Sequence, residues 1–334
     1  MSTLSLVKER DNSQTPVNPT TSPERLDVPD ANLILQSSDL VNFRVHKPVL
    51  AMASPFFRDL LSLPQPSVSE SVEGLPVVQL PEDAELLISL VSMLYPVQPV
   101  IPNSYEKVLY LLAACQKYDM VHVQSCIRVE VNRGSFPAPV GTEVFRAYAI
   151  ARGKGLIPEM ESAARLTLGY PMTFETLGEA LRFFEGCALR DLARFRKRCR
   201  DKFITCLETF LEAQGPSSIW AGCPEFWARK ILLGAHTQPN LPSWLYDVFS
   251  RNIKDLKQKV FTHPLTTPST IREEYLTAIQ AHAACAFCSR VHKTKGSTFC
   301  AELENKLAQA QDKVHTFLCL LPKYLTIHLP VGTR

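Results

Sequence analysis

Apolar residues in the first third of the chain alternate between two periods, and that alternation sets an order of elements. Two short runs, Asn32 to Gln36 and Asn42 to Val45, are separated by the turn residues Ser37, Ser38 and Asp39, which predicts a hairpin. Pro48 to Ala53 then predicts a short helix. Ser54 supplies an N-cap hydroxyl and Pro55 a first helical position for a second helix carrying Phe56, Phe57, Leu60, Leu61 and Leu63. A polar loop at 64 to 74 precedes a strand at Val77 to Leu80. Pro81, Glu82 and Asp83 open a helix with an acidic first turn and apolar positions Leu86, Leu87, Leu90, Val91 and Leu94. Asn103 to Glu106 has the form of a capping box for a helix through Val108, Leu111, Leu112 and Cys115, and Val121 to Val131 predicts one more. The order is strand, strand, helix, helix, strand, helix, helix, helix.

From Thr142 onward almost everything periodic is helical: Glu143 to Lys154, Pro158 to Leu168, Phe174 to Glu185 and a long run from Leu189 to about Ala213. Pro216, Pro224, Pro239 and Pro242 mark a looser stretch with Trp220, Trp227 and Trp244. Helices at Trp244 to Lys259, Ser269 to Ala284 and Phe299 to Leu320 follow. Residues 1 to 26 are polar and punctuated by proline, and read as a disordered tail; 321 to 334 form a C-terminal tail. The division is therefore a tail at 1–26, an α+β domain at 27–133 and an all-helical region at 140–320.

Composition adds few constraints. Hydrophobic residues make up 46% and charged residues 21% of 334, enough apolar content for a substantial core. The net charge of +3 and pI near 8.3 are far from a globally nucleic-acid-binding balance. Met1 to Arg10 lack the apolar centre of a secretory signal, and no membrane span is visible. Many of the ten cysteines, such as Cys115, Cys126, Cys199, Cys206 and Cys319, sit in apolar helical patterns, which suggests a reducing, intracellular setting in cytoplasm or nucleus.

The segment Phe43 to Arg58 places a His46-Lys47 pair before a Leu50-Ala51 helix and then Ser54-Pro55-Phe56-Phe57. Leu86 to Tyr95 and Val108 to Met120, with Ala113, Ala114, Tyr118 and Met120, follow. In these residues, and in the element order of 27–133, the chain resembles the BTB/POZ family. The signature is carried by His46, Lys47, Leu50, Ser54, Pro55, Phe56, Phe57, Tyr95, Tyr118 and Met120. The resemblance implies an α+β BTB/POZ fold, a small sheet with a helical cluster, and an all-helical C-terminal region that a BACK-like extension would fit. Tyr95-Pro96-Val97 stands where the family commonly has Tyr-Thr-Gly. This variant looks like the expanded BTB proteins of mushroom-forming fungi.

The resemblance implies a non-enzymatic protein-interaction or adaptor role through protein partners, as a homodimer or as a recruiter of a cullin-type ubiquitin ligase. Against cullin binding, Tyr95 to Pro102 contains no Glu where cullin-binding members carry a hydrophobic-x-Glu element. His46, at a strand-helix corner, reads as a structural hydrogen-bonding residue. The motif search returns no Gly-x-Ser-x-Gly, phosphate loop, His-Glu-x-x-His or Gly-x-Gly-x-x-Gly, so catalytic and cofactor residues are assigned as none.

Two clusters lie outside the resemblance. His282-x-x-Cys285-x-x-Cys288, with His292 and Cys300 downstream, has zinc-like spacing. One Cys-x-x-Cys without a second pair does not establish a site, so no metal is assigned. Arg194, Arg196, Lys197, Arg198, Arg200 and Lys202 form the densest basic run. Beside Asp191, Asp201 and Glu208 they read as a solvated helix face, and nucleic acid is not an expected partner. The alternative function is a nuclear, transcription-associated regulator that uses the basic helix at 190–202.

Overall fold

The computed structural model describes residues 20–21, 30–63, 71–136, 138–212, 219–220, 223, 242–258, 268–281 and 285–318. They fall into two compact units, 1–138 and 139–334.

In the first unit the apolar run Leu33–Gln36 (β2) is buried at all four positions, because it is the central strand of the sheet. Its antiparallel partner Val41–Val45 (β3) pairs Leu33 with Val45 and Gln36 with Asn42, confirming the hairpin. Ser37 closes the turn by accepting from Val41 N–H at 2.9 Å, and Leu40 takes a left-handed φ of 62°. On the other side of β2, Leu75–Gln79 (β5) runs parallel, so a crossover must separate the two strands. Helices Lys47–Ala53 (α1) and Pro55–Ser62 (α2) supply it.

Two strands were not foreseen. Thr20–Thr21 (β1), within the stretch expected to be an unstructured tail, pairs parallel with β3. Ser71–Val72 (β4), within the stretch expected to be a polar loop, pairs antiparallel with β5. Both pairings satisfy edge backbone groups and need no apolar signal at the paired residues. The sheet order is β1-β3-β2-β5-β4.

Ala84–Ser92 (α3), Tyr105–Lys117 (α4) and Val121–Asn132 (α5) complete the unit. Asp83 caps α3 through Leu86 N–H at 2.8 Å. The capping residue of α4 is Ser104, which accepts from Lys107 N–H, and not Asn103. The reading by spacing was one residue early, since Asn and Ser are equally good caps. Asp119, at φ 51°, turns the chain between α4 and α5.

The second unit opens with Glu143–Gly153 (α6) and Ile157–Leu166 (α7). The single helix expected over Phe174 to Glu185 is instead one α-turn, Phe174–Leu177 (α8), followed by 3-10 turns at Gly178–Phe183. Gly178, at φ 40°, breaks the α-helical ladder between them. The long helix Gly186–Glu212 (α9) follows. Ser243–Gln258 (α10), Pro268–Ala281 (α11), Ala286–Val291 (α12), a π turn at His292–Gly296 and Ser297–Leu318 (α13) complete the unit. One part of its core packs Phe145, Tyr148, Met160 and Leu192 between α6, α7 and α9. Another gathers Phe203, Phe210, Trp220, Phe249, Tyr275 and Phe299.

Ser54 ties the α1–α2 corner to the C-terminal end of the distant helix α4 through one buried atom. Its Oγ accepts from Phe57 N–H at 3.0 Å, capping α2, and donates to the Tyr118 carbonyl at 2.5 Å. Ser54→Ala should therefore cost roughly 2–4 kcal/mol, the cap plus one buried carbonyl left without a donor. Urea unfolding is the measurement: a stability loss with unchanged m-value is the expected result.

Candidate functional site

The signature residues meet around the β3–α1–α2 corner, and most are fixed by internal partners. His46 donates its backbone N–H to the Tyr95 hydroxyl at 2.9 Å. Its ring Nδ1 lies 3.3 Å from the same oxygen, and Nε2 is 3.1 Å from Asp30 Oδ1. Nδ1 thus ties the strand-helix junction to the chain just beyond α3, and Nε2 ties it to the chain just before β2. Burial pushes the Tyr95 hydroxyl above the usual tyrosine range. The Lys47 backbone N–H donates to Asn32 Oδ1 at 2.8 Å, while Leu50 and Met120 are buried.

Phe57 stacks on Tyr118 with ring centroids 5.0 Å apart, and Phe56 meets both rings at 5.3 and 5.4 Å. The Tyr118 hydroxyl donates to Glu82, which also pairs with Lys117 at 2.9 Å. Burial, and then the bond to the Glu82 carboxylate, push the Tyr118 hydroxyl well above its ordinary value. These groups hold the domain together.

What they leave outward is apolar. Met52 at the end of α1 is 85% exposed, Phe56 at the start of α2 is 42% exposed and Leu63 beyond α2 is 60% exposed. Large side chains left in water this close along the chain differ from singly scattered surface hydrophobes. The corner at Ser54 turns both Met52 and Phe56 outward, although each is an apolar residue on a helix that packs its neighbours Leu50 and Phe57 inside.

The basic run on α9 is not one solvated face. Arg194, Lys197, Arg198 and Lys202 are exposed, whereas Arg196 and Arg200 are buried. Arg196 donates to the Thr167 carbonyl and, at 2.7 Å, to the Tyr170 carbonyl, closing the turn that ends α7. Burial, with Arg200 one turn away, pulls Arg196 down to about 10. Earlier on the helix, Asp191 pairs with Arg152 of α6 at 2.7 Å with both side chains nearly buried. A helical projection from charge alone cannot see these acceptors, because they come from loop carbonyls.

The cysteine-histidine run is rearranged as well. Cys285 and Cys288 do not continue the helix expected over Ser269 to Ala284 but belong to a separate short helix. The described part of α11 ends at Ala281, Cys285 occupies the N-cap position of α12 without a side-chain capping bond, and Cys288 lies within α12. His282 lies outside the described residues. His292 stands apart from the thiols, with Nδ1 3.2 Å from the Tyr275 hydroxyl, and Cys300 is buried on α13.

The partner that sequence spacing missed is Cys223. It is buried, with Sγ 3.4 Å from Cys288 Sγ, and the sulfurs of Cys223, Cys285 and Cys288 all lie within 4.8 Å of one another. Backbone N–H groups of Cys288 and Phe287 face Cys285 and hold its thiol below the usual range. Burial, and then the neighbouring Cys223 thiol, push Cys288 up. No local spacing signals Cys223, which is 65 positions from Cys288.

Residues 27–132 match the family model of the BTB/POZ domain. A search of curated proteins returns no match to the chain. Among the described residues, no helix is long and apolar enough to cross a membrane.

Arg196→Ala should destabilise the second unit by about 2–4 kcal/mol, since two carbonyls lose a charged donor and the long side chain leaves a void. Lys197→Ala, one position along and exposed, should stay within about 0.5 kcal/mol. Thermal unfolding of the two variants side by side distinguishes a packed arginine from a solvated one.

Proposed function

We propose that the BTB/POZ domain at 27–132 makes this chain a non-enzymatic adaptor, which docks protein partners on the outer surface of α1 and α2. A BTB domain supports a protein–protein interaction role. The observation that carries the finer reading is the division of labour around the β3–α1–α2 corner. His46, Ser54, Phe57 and Tyr118 are committed to internal bonds and stacking, while Met52 and Phe56 project outward. An apolar side chain held outward on a rigid helix pair can bury area on a partner without ordering a loop first, which favours affinity.

Two partner classes fit such a surface, a second copy of the chain and a cullin-type scaffold. The second copy is favoured here, because the segment after Tyr95 lacks the Glu on which the cullin reading rests. In a self-complementary interface the same exposed methionine would appear on both sides of a two-fold axis, doubling its contribution. The nuclear-regulator reading loses support, since Arg196 and Arg200 of the basic helix are engaged inside the fold.

Met52→Lys is the clean probe, because the side chain is almost wholly in water and the substitution should leave unfolding unchanged within about 0.5 kcal/mol. Sedimentation equilibrium of the full chain should show a dimer for the wild type and roughly tenfold or greater weakening for Met52→Lys. A wild-type monomer would overturn the self-association reading. Retention of a cullin from a lysate by the wild type and its loss on Met52→Lys would transfer the same surface to the other partner.

A further inference from the structure

Three cysteines from two separate stretches of the second unit converge, Cys223 and Cys288 fully buried and Cys285 half-buried. Cys223 follows the buried Trp220, whose carbonyl accepts from Cys223 N–H at 2.9 Å. Cys285 and Cys288 bracket the first turn of α12. Tetrahedral zinc holds thiolates at about 2.3 Å, which places neighbouring sulfurs about 3.8 Å apart. The three sulfurs here lie within 4.8 Å of one another, one pair at 3.4 Å. That spacing brackets the separation a tetrahedral zinc imposes.

The surroundings point the same way. Backbone N–H groups of Cys288 and Phe287 are directed at Cys285, and the Trp244 indole favours the thiolate form of Cys288. Donors aimed at sulfur stabilise the thiolate form and fix its direction, as outer groups do around metal ligands. An aromatic shell adjoins the sulfurs. Trp220 meets Trp244 edge-on at 5.7 Å and Phe299 at 5.8 Å, and Tyr275 packs on Trp244 at 6.1 Å. Three thiols with oriented donors beside a dry shell match a soft divalent ion better than a carboxylate-binding metal such as magnesium or calcium.

We propose that Cys223, Cys285 and Cys288 bind one Zn²⁺ as a structural site in the second unit. Binding replaces the three thiol protons with the metal, so three Zn–S bonds form and three protons pass to solvent. The ion ties Cys223 to the start of α12, 65 positions from Cys288 along the chain. The site rests on the three sulfurs alone, and the fourth coordination position belongs to a ligand outside this set.

The test is metal content of the full chain, purified under reducing conditions and incubated with zinc before exhaustive dialysis. The expected result is close to one zinc per chain by elemental analysis. Cys285→Ser is the informative variant because Cys285 is only half-buried, so the substitution disturbs packing least. It should reduce retained zinc at least several-fold while circular dichroism remains helical. Cys187→Ser, at an exposed cysteine outside the cluster, should retain zinc as the wild type does.

Cobalt loading of the wild type gives a readout independent of variant folding. Thiolate-to-cobalt charge transfer in the near ultraviolet, with intense tetrahedral d–d bands, is expected. Folded wild-type protein with far less than one equivalent of zinc, or undiminished zinc in Cys285→Ser, would overturn the proposal. So would an intact mass showing Cys223 and Cys288 joined as a disulfide in the protein as purified.

Discussion

A single hydroxyl holds the first unit in register. Ser54 sits where α1 ends and α2 begins, and its oxygen accepts from the α2 backbone while its hydrogen goes to the Tyr118 carbonyl, beyond the end of α4. The crossover that lets β2 and β5 run parallel is therefore fastened to the helical layer at the one place where the chain changes direction. Everything stacked on that corner inherits its geometry: Phe57 against Tyr118, Tyr118 onto Glu82, and Lys117 over the Tyr118 ring. Because the bond is buried, its alternative is not water but an unsatisfied carbonyl, and that asymmetry gives a small group a large influence.

The same corner separates structure from recognition. The Pro55 start and the Ser54 cap set the direction in which α2 leaves α1, and that direction decides that Phe57 points in while Phe56 and Met52 point out. Adjacent phenylalanines on one helix turn cannot share a face, since successive residues are about 100° apart. One of the pair is core and the other is surface. The interaction reading and the stability of the domain thus follow from one local geometry.

The second unit is organised by groups that would be costly if left alone. Arg196 closes the end of α7 through two carbonyls, and Arg152 neutralises Asp191 between α6 and α9. Buried charges of this kind stabilise little relative to apolar substitutes, but they penalise every arrangement in which the partner is missing, and so favour one packing over its competitors. The thiol cluster has the same logic. Three buried or half-buried sulfurs crowded together are a poor core and a good ligand set.

Along the chain, apolar period and cap chemistry determined the hairpin, the β5 strand and the helices of the first unit, most helix boundaries to within a few residues, and the helical character of most described residues after Thr142. Those features depend on residues near one another in sequence, where a side chain's preference is expressed in its own turn or strand. The signature around His46 to Phe57 was legible for the same reason. Tertiary structure alone decided what depended on distant partners. Thr20–Thr21 became a strand because β3 offers an edge, Arg196 turned inward because the Thr167 and Tyr170 carbonyls need a donor, Met52 faced water because the corner turned it, and Cys223 joined Cys285 and Cys288 from 65 positions away. Local patterns encode what a residue prefers; only the fold supplies what it meets.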